Sequence, residues 1–186
     1  MDKIALFKVS IDGIEPLIWR RFAIPLSETF ETFHKTIQKF MGWKNYHLFE
    51  FKVPSLSGYV KIGSPDPEEP PSIRNLPEKK VKISDYMFKV NDRAKYIYDF
   101  GDNWEHTIQL ESFINKEADK KYPMLIDGAR ACPPEDCGGV WGYENLVKAL
   151  SDPEHPEHKE IREWVGEKFD PVKFDYISIS LKKEIS

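Results

Sequence analysis

The chain has 186 residues, 31% of them charged and 40% hydrophobic, with a net charge of −4 and a pI near 5.8. That length supports one sizeable core or two small ones, and the acidity argues against a generic nucleic-acid coat. No apolar run approaches the roughly 18 residues of a membrane helix, and "MDKIALFKVS" is too short and charged for a signal peptide, so a cytoplasmic protein with no membrane partner is expected. Charge is uneven: residues 1–62 carry nine Lys/Arg against six Asp/Glu, the remainder 18 against 25. The total therefore leaves room for a local basic face on the N-terminal half.

"IALFKVSI" places Ala5, Phe7, Val9 and Ile11 on one face, the period of a strand. "DGIEP" is a turn signal and "LIWRRFAI" is β-branched and aromatic, so a first hairpin follows. Arg20 and Arg21 point to opposite faces of that strand; one faces inward or needs a carboxylate at an edge. "SETFETFHKTIQKFMG" predicts a helix with Phe30, Phe33, Ile37, Phe40 and Met41 on one stripe, Ser27 as N-cap and Gly42 at C′. His34, at the edge of the stripe, reads as a packing residue. "YHLFEFKV" returns to period two, with His47, Phe49, Phe51 and Val53 on one face. The opening is thus β-β-α-β.

Residues 54–80 hold six prolines and predict an irregular excursion rather than a domain boundary. A polar loop (115–123) and a Gly/Pro/Cys segment (128–142) follow. Helices are expected near "YENLVKALS" and in "HPEHKEIREWVGEKF", the second with Ile161, Trp164 and Val165 as its stripe. "FDPVKFDYISISL" predicts a closing strand carrying Ile177, Ile179 and Leu181. There is no internal repeat. Residues 1–186 read as one α+β domain, a largely antiparallel sheet with helices packed against it.

Residues 96–111, "YIYDFGDNWEHTIQLE", contain the Asp-Phe-Gly triplet of protein kinases, but no glycine-rich phosphate loop or His-Arg-Asp loop accompanies it. The segment reads as a hairpin with "GDN" at its tip. A Gly101-Asp102 tip sets Asp99 opposite Trp104, and an Asp102-Asn103 tip sets it opposite His106. Both registers put Ile97, Asp99, Trp104, His106, Ile108 and Leu110 on one face, whereas a three-residue loop brings Tyr96 and Tyr98 across to His106. An imidazole beside a carboxylate serves as catalytic base or metal ligand, or as a satisfied polar pair that fixes register.

"ARACPPEDCGGVWGY" is a stiff loop of prolines and glycines that presents Cys132, Glu135, Asp136 and Cys137. With His155 and His158 it spells C-x4-C and H-x2-H, spacings off the usual structural zinc pattern. A mixed site joining His106 and Asp99 to Cys132, Cys137 or a neighbouring acid is the alternative, with a divalent metal as its cofactor. In the plain reading Cys132 is buried, an acid caps a turn, and both histidines sit at an exposed helix start. A Cys nucleophile served by His106 has no local oxyanion hole.

"IWRR" (Trp19 to Arg21), "GWKNYHLFEF" (Gly42 to Phe51), "YIYDFGDNWEH" (Tyr96 to His106), "ACPPEDCGGVWGY" and "FDPVKFD" (Phe169 to Asp175) stand in an order that resembles the family named after the third open reading frame of the Ri plasmid. The resemblance spans nearly the whole chain and implies an association with plasmids and insertion elements, but no established activity. Some relatives carry a resolvase label. Resolvase chemistry is rejected for this chain: no helix-turn-helix is recognisable, and no histidine has an arginine three residues later. The leading expectation is a small accessory or binding domain. Its pocket, for a small ligand or a protein partner, lies between the 96–111 hairpin and the 128–142 loop, with Asp102, Glu135, Asp136 and Cys132 as polar groups and Trp104 and Trp141 as walls. The second is a metal-dependent or His-based hydrolase using Asp99 and His106. The third is nucleic-acid binding through Arg20 and Arg21, with Trp19, Lys35, Lys39 and Lys44.

Overall fold

Phenylalanines from three strands and one helix make the centre of the molecule, and the rest of the chain is arranged around them. The computed structural model describes residues 3–64, 70 and 75–180. In chain order these form β1 (Ile4–Ile11), β2 (Trp19–Pro25), α1 (Phe30–Met41), β3 (Phe49–Ser55), β4 (Gly58–Gly63), β5 (Leu76–Pro77), β6 (Arg93–Tyr98), β7 (Trp104–Ile114), β8 (Met124–Ala129), α2 (Gly139–Ser151), α3 (His158–Val165) and α4 (Tyr176–Ser180). The strands make one sheet in the order β5-β4-β3-β6-β7-β1-β2-β8. Among the described residues only the short β4–β5 pairing is parallel. The protein is an α+β single domain opening β-β-α-β.

The strand period of β1 buries Ala5, Phe7, Val9 and Ile11 completely. Helix α1 lies across that face: Phe33 meets Phe7 with ring centroids 4.8 Å apart, Phe30 meets Phe51 at 5.0 Å and Phe40 meets Phe22 at 5.4 Å. Such tilted and edge contacts add about 0.5–1.5 kcal/mol per pair to the burial itself. The helix starts at a Thr29 cap, whose Oγ1 accepts from the Thr32 amide at 3.2 Å, and ends on Gly42 at φ 100°. The expected Ser27 cap is displaced because the amides of Phe30 and Glu31 donate to the carbonyls of Val81 and Glu78.

Four segments depart from the sequence expectation. Within the proline-rich excursion, "GYVKIG" forms β4 and buries Ile62, because a proline-free hexapeptide can pair along β3. Residues 65–69 and 71–74 of that excursion lie outside the described residues. Met124–Ala129, not anticipated, pairs with β2 as β8. The C-terminal segment is helical rather than extended, since both carboxylate oxygens of Asp175 accept from Ser178 and tighten the chain into a turn; Leu181 lies outside the described residues.

The fourth departure is the 96–111 hairpin. Tyr98 pairs with Trp104 and Tyr96 with His106, so the connection spans five residues, 99–103, and neither two-residue tip forms. Asp99 at φ 57° and Asn103 at φ 53° adopt left-handed backbone, which Asp and Asn tolerate, and this accommodates the longer loop. The side-chain grouping changes accordingly. Ala94, Tyr96 and Tyr98 share the buried face with Trp104, His106 and Ile108, and Asp99 is not the cross-strand partner of His106.

Two buried histidines result. His106 Nδ1 faces the carbonyls of Trp104 at 3.0 Å and Tyr96 at 3.2 Å, so Nδ1 carries the proton and Nε2 is bare. His34 Nε2 faces Asn45 Oδ1 and Nδ1 faces the Tyr96 hydroxyl at 2.8 Å, with Gln38 also donating to that hydroxyl at 2.9 Å. This network ties the chain after α1 to the sheet. Burial pushes both imidazoles down to about 4, so both are neutral. Among the described residues no helix is long and apolar enough to cross a membrane.

Because these folded-state values lie below the unfolded value near 6.5, the unfolded chain binds more protons between pH 6.5 and 4. The stabilisation is complete above the unfolded value and is lost as pH falls toward the folded one, by about 3 kcal/mol per histidine as an upper figure. Urea titrations should show stability falling across that window. A curve flat from pH 7 to 4 would contradict the neutral assignments.

Candidate metal centre

The β3–β6 register brings the site together. Phe49 pairs with Tyr98, and one residue further the Asp99 amide donates to the Leu48 carbonyl at 2.9 Å, which carries His47 alongside Asp99. Asp99 Oδ1 accepts from the Gly101 amide at 2.9 Å, so Oδ2 is left to face His47 Nε2 at 3.6 Å. From the third side Asp136, itself at φ 57°, brings Oδ1 to 3.1 Å from the same nitrogen, and Glu135 Oε2 stands 4.0 Å away. One donor atom each from His47, Asp99 and Asp136 lies within 4.8 Å of the others.

The loop bearing Glu135 and Asp136 is fixed against the sheet at several points. Trp43 Nε1 donates to the Pro133 carbonyl at 3.0 Å and the Lys44 amide donates to Glu135 Oε1 at 2.7 Å. The Gly138 amide donates to Asp102 Oδ2 at 3.2 Å, tying the loop to the hairpin tip. Gly138 and Gly139 both have positive φ, and a Cβ on Gly139 would strike the Asp102 carbonyl, so this approach requires glycine. Tyr98 completes the frame. Its hydroxyl donates to Glu135 at 3.2 Å and accepts from the Tyr46 amide at 3.1 Å; burial is the first cause that drives its ionisation well above the usual phenol range.

His47 Nε2 is fully enclosed and makes no hydrogen bond despite three carboxylates around it. Oxygen and nitrogen ligands bound at about 2.0–2.2 Å lie about 3–4 Å from one another, so a small contraction turns this trio into half a coordination sphere. One imidazole with two carboxylates suits Zn²⁺ or Mn²⁺ better than Ca²⁺, which takes oxygen ligands alone. Side-chain exposure is 10% for Asp99 and 13% for Glu135 but 68% for Asp136, so the cluster opens on the Asp136 side. There a cleft of about 550 Å³ begins, lined by Glu135, Asp136, Tyr46, Trp164 and Phe169 among others.

The other sequence candidates fall in different places. Asp102 is the clasp between hairpin and loop, and Trp104 is fully buried below the site, 6.1 Å from Trp43. Trp141 is 82% exposed in the first turn of α2. Cys132 lines the cleft, while Cys137 is partly buried, its thiol pushed up to about 12 chiefly by burial and then by Asp102; neither is in a disulfide. His106 is sealed in the core against Trp43 and Tyr96, outside the trio. Arg20 is buried, with Nε and Nη1 donating to the carbonyls of Phe40, Trp19 and Ala129. Arg21 is bidentate on Glu111, at 2.6 and 3.0 Å.

Comparisons give the chain relatives but no activity. The model of the plasmid pRiA4b ORF-3-like protein family matches residues 3–178. An uncharacterized protein of Sinorhizobium fredii is 37% identical over 162 residues, 86% of this chain and 79% of that one. A crystal structure of a protein of unknown function from Methanosarcina mazei Go1 superposes with a TM-score of 0.87 at 41% identity, covering 97% of this chain and 99% of that one.

Replacing Tyr98 by Phe removes the donor to Glu135 and the acceptor for Tyr46 while keeping the ring. A loss of about 1–3 kcal/mol in unfolding free energy is expected, measured by urea denaturation. A variant as stable as the parent would show that the hydroxyl does not hold the site.

Proposed function

Since the chain belongs to the plasmid pRiA4b ORF-3-like family, whose relatives above carry no assigned activity, we propose its function from the site: a metal-dependent domain that binds Zn²⁺ or Mn²⁺ through His47, Asp99 and Asp136 and acts on a ligand entering the adjoining cleft. The observation that carries this reading is the enclosed His47 Nε2, without a hydrogen bond among three carboxylates. A polar pair that merely fixed strand register would be hydrogen-bonded.

Hydrolysis is the reaction class this arrangement supports. Three protein ligands leave coordination positions for water and substrate, and a bound cation lowers the pKa of its water toward neutrality. Glu135 lies 4.0 Å from the His47 nitrogen, held by the Tyr98 hydroxyl and the Lys44 amide. It is the group placed to accept the proton released there. The binding-domain and hydrolase expectations thus share one location, at the meeting of the hairpin tip and the 128–142 loop. His47 replaces His106 as the imidazole. Nucleic acid is not the partner proposed, because Arg20 is buried and Arg21 is committed to Glu111. Two thiols outside any disulfide suit a cytoplasmic setting.

Elemental analysis and calorimetric titration of tag-free protein should find one transition cation per chain. Affinity should drop at least about 100-fold in His47→Ala and stay unchanged in His106→Gln. Absence of binding in the parent chain, or loss only in the His106 variant, would overturn this reading.

A further inference from the structure

The basic residues of α1 take no part in the metal centre. Glu31, Lys35 and Lys39 follow one another at four-residue spacing, so they form one row on the helix beside the phenylalanine stripe. Lys35 lies 3.5 Å from Glu31, whereas Lys39 forms no ion pair among the described residues and extends its Nζ over the ring of Phe40, 5.9 Å from the centroid.

That row borders a groove of about 540 Å³, within the size range of small-molecule sites. Two further segments border it: Lys121 and Tyr122, which lead into β8, and Tyr176 and Ser180 of α4. The α4 side is fixed in place. Tyr176 donates its hydroxyl to the Leu125 carbonyl at 3.1 Å, and the ring of Phe174 fills the space over Gly128, where a Cβ would lie 2.5 Å from its Cζ. The same ring stands 4.6 Å from Cζ of the buried Arg20. Phe40 and Leu125 line the groove although each is only 2% exposed, so they form an apolar base.

Three lysines against one glutamate give this groove a surplus of two positive charges, in a chain whose net charge is −4. Lys121, like Lys39, has no carboxylate within ion-pair distance among the described residues. The cations lining it are all lysines. An ammonium binds phosphate as a point charge, whereas the guanidinium fork is the group that matches a planar carboxylate. Thr32 and Tyr122 add hydroxyls suited to phosphate oxygens.

We propose that this groove binds a small phosphate monoester, its phosphate among Lys35, Lys39 and Lys121 and its apolar body on Phe40 and Leu125. The site is independent of the metal reading, since His47, Asp99 and Asp136 do not line it. Its cations make one bounded pocket rather than a track along nucleic acid, because Lys44 lines the other cleft and Arg20 and Arg21 are committed within the fold.

The test is calorimetric titration of the full chain with phenyl phosphate in low-salt buffer. One site per chain is expected, with phenol, benzoate and inorganic phosphate each at least about tenfold weaker. The double variant Lys35→Gln/Lys39→Gln should weaken phenyl phosphate at least about tenfold, and His47→Ala should leave it unchanged. No binding by the parent, parent-like affinity in the folded lysine variant, or loss confined to His47→Ala overturns the proposal. Equal affinity for any of the three other probes overturns it as well. Lys121→Gln, in the segment ahead of β8, should weaken binding in the same direction, so the test stands even if the α1 variant does not fold.

Discussion

The hydroxyl of Tyr98 is the point at which three stretches of chain meet. It accepts from the amide of Tyr46, donates to Glu135, and sits on β6 one residue before Asp99. Each stretch delivers one part of the candidate centre: His47 follows Tyr46, Asp136 follows Glu135, and Asp99 follows Tyr98 itself. A phenol anchored in a sheet is a rigid post. Two loops hung from it inherit the precision of the strand, which loops alone do not supply.

The layers beneath explain why the post stands still. Tyr98 lies on the buried face of β6 beside Tyr96, and its ring stacks on Trp43 at 4.9 Å. Trp43 in turn donates to the Pro133 carbonyl and meets the core residue His106 edge-on. His34, Tyr96, Gln38 and Asn45 form the second support, a satisfied network that fixes the left-handed turn at Asn45 just ahead of His47. Such networks are rigid when every member is partnered. The centre is therefore built on the sheet through aromatic rings, and its acids are presented by strained but tolerated backbone at Asp99 and Asp136.

Much of this was legible in the residues, and the parts that were not share a cause. Strict period two in β1 and the phenylalanine stripe of α1 follow from local spacing, and both elements formed. The stiff proline-glycine loop marked Glu135 and Asp136 as presented acids, and Asp99 was marked by its hairpin. His47 was not marked, because "YHLFEFKV" continues the alternation through it, whereas β3 starts at Phe49. Only the β3–β6 register, a pairing of residues about 50 apart in sequence, sets His47 beside Asp99. His106 drew attention for the opposite reason. The two-residue tips group it with Asp99, whereas the five-residue loop, with two left-handed residues, has the odd length that sets Tyr96 and Tyr98 on its face, the grouping the three-residue alternative implies. Alternation alone says that one of Arg20 and Arg21 turns inward or meets a carboxylate; the long-range pairing of β2 decides that Arg20 is the buried one, on main-chain carbonyls, and that Arg21 meets Glu111.

The central claim is that His47, Asp99 and Asp136 share one cation. Anomalous diffraction from crystals soaked in Zn²⁺ or Mn²⁺ tests it most directly. The account predicts a single strong peak about 2.0–2.2 Å from His47 Nε2 and from one carboxylate oxygen each of Asp99 and Asp136. An empty position there, with His47 Nε2 instead donating a hydrogen bond to Asp136, would contradict it.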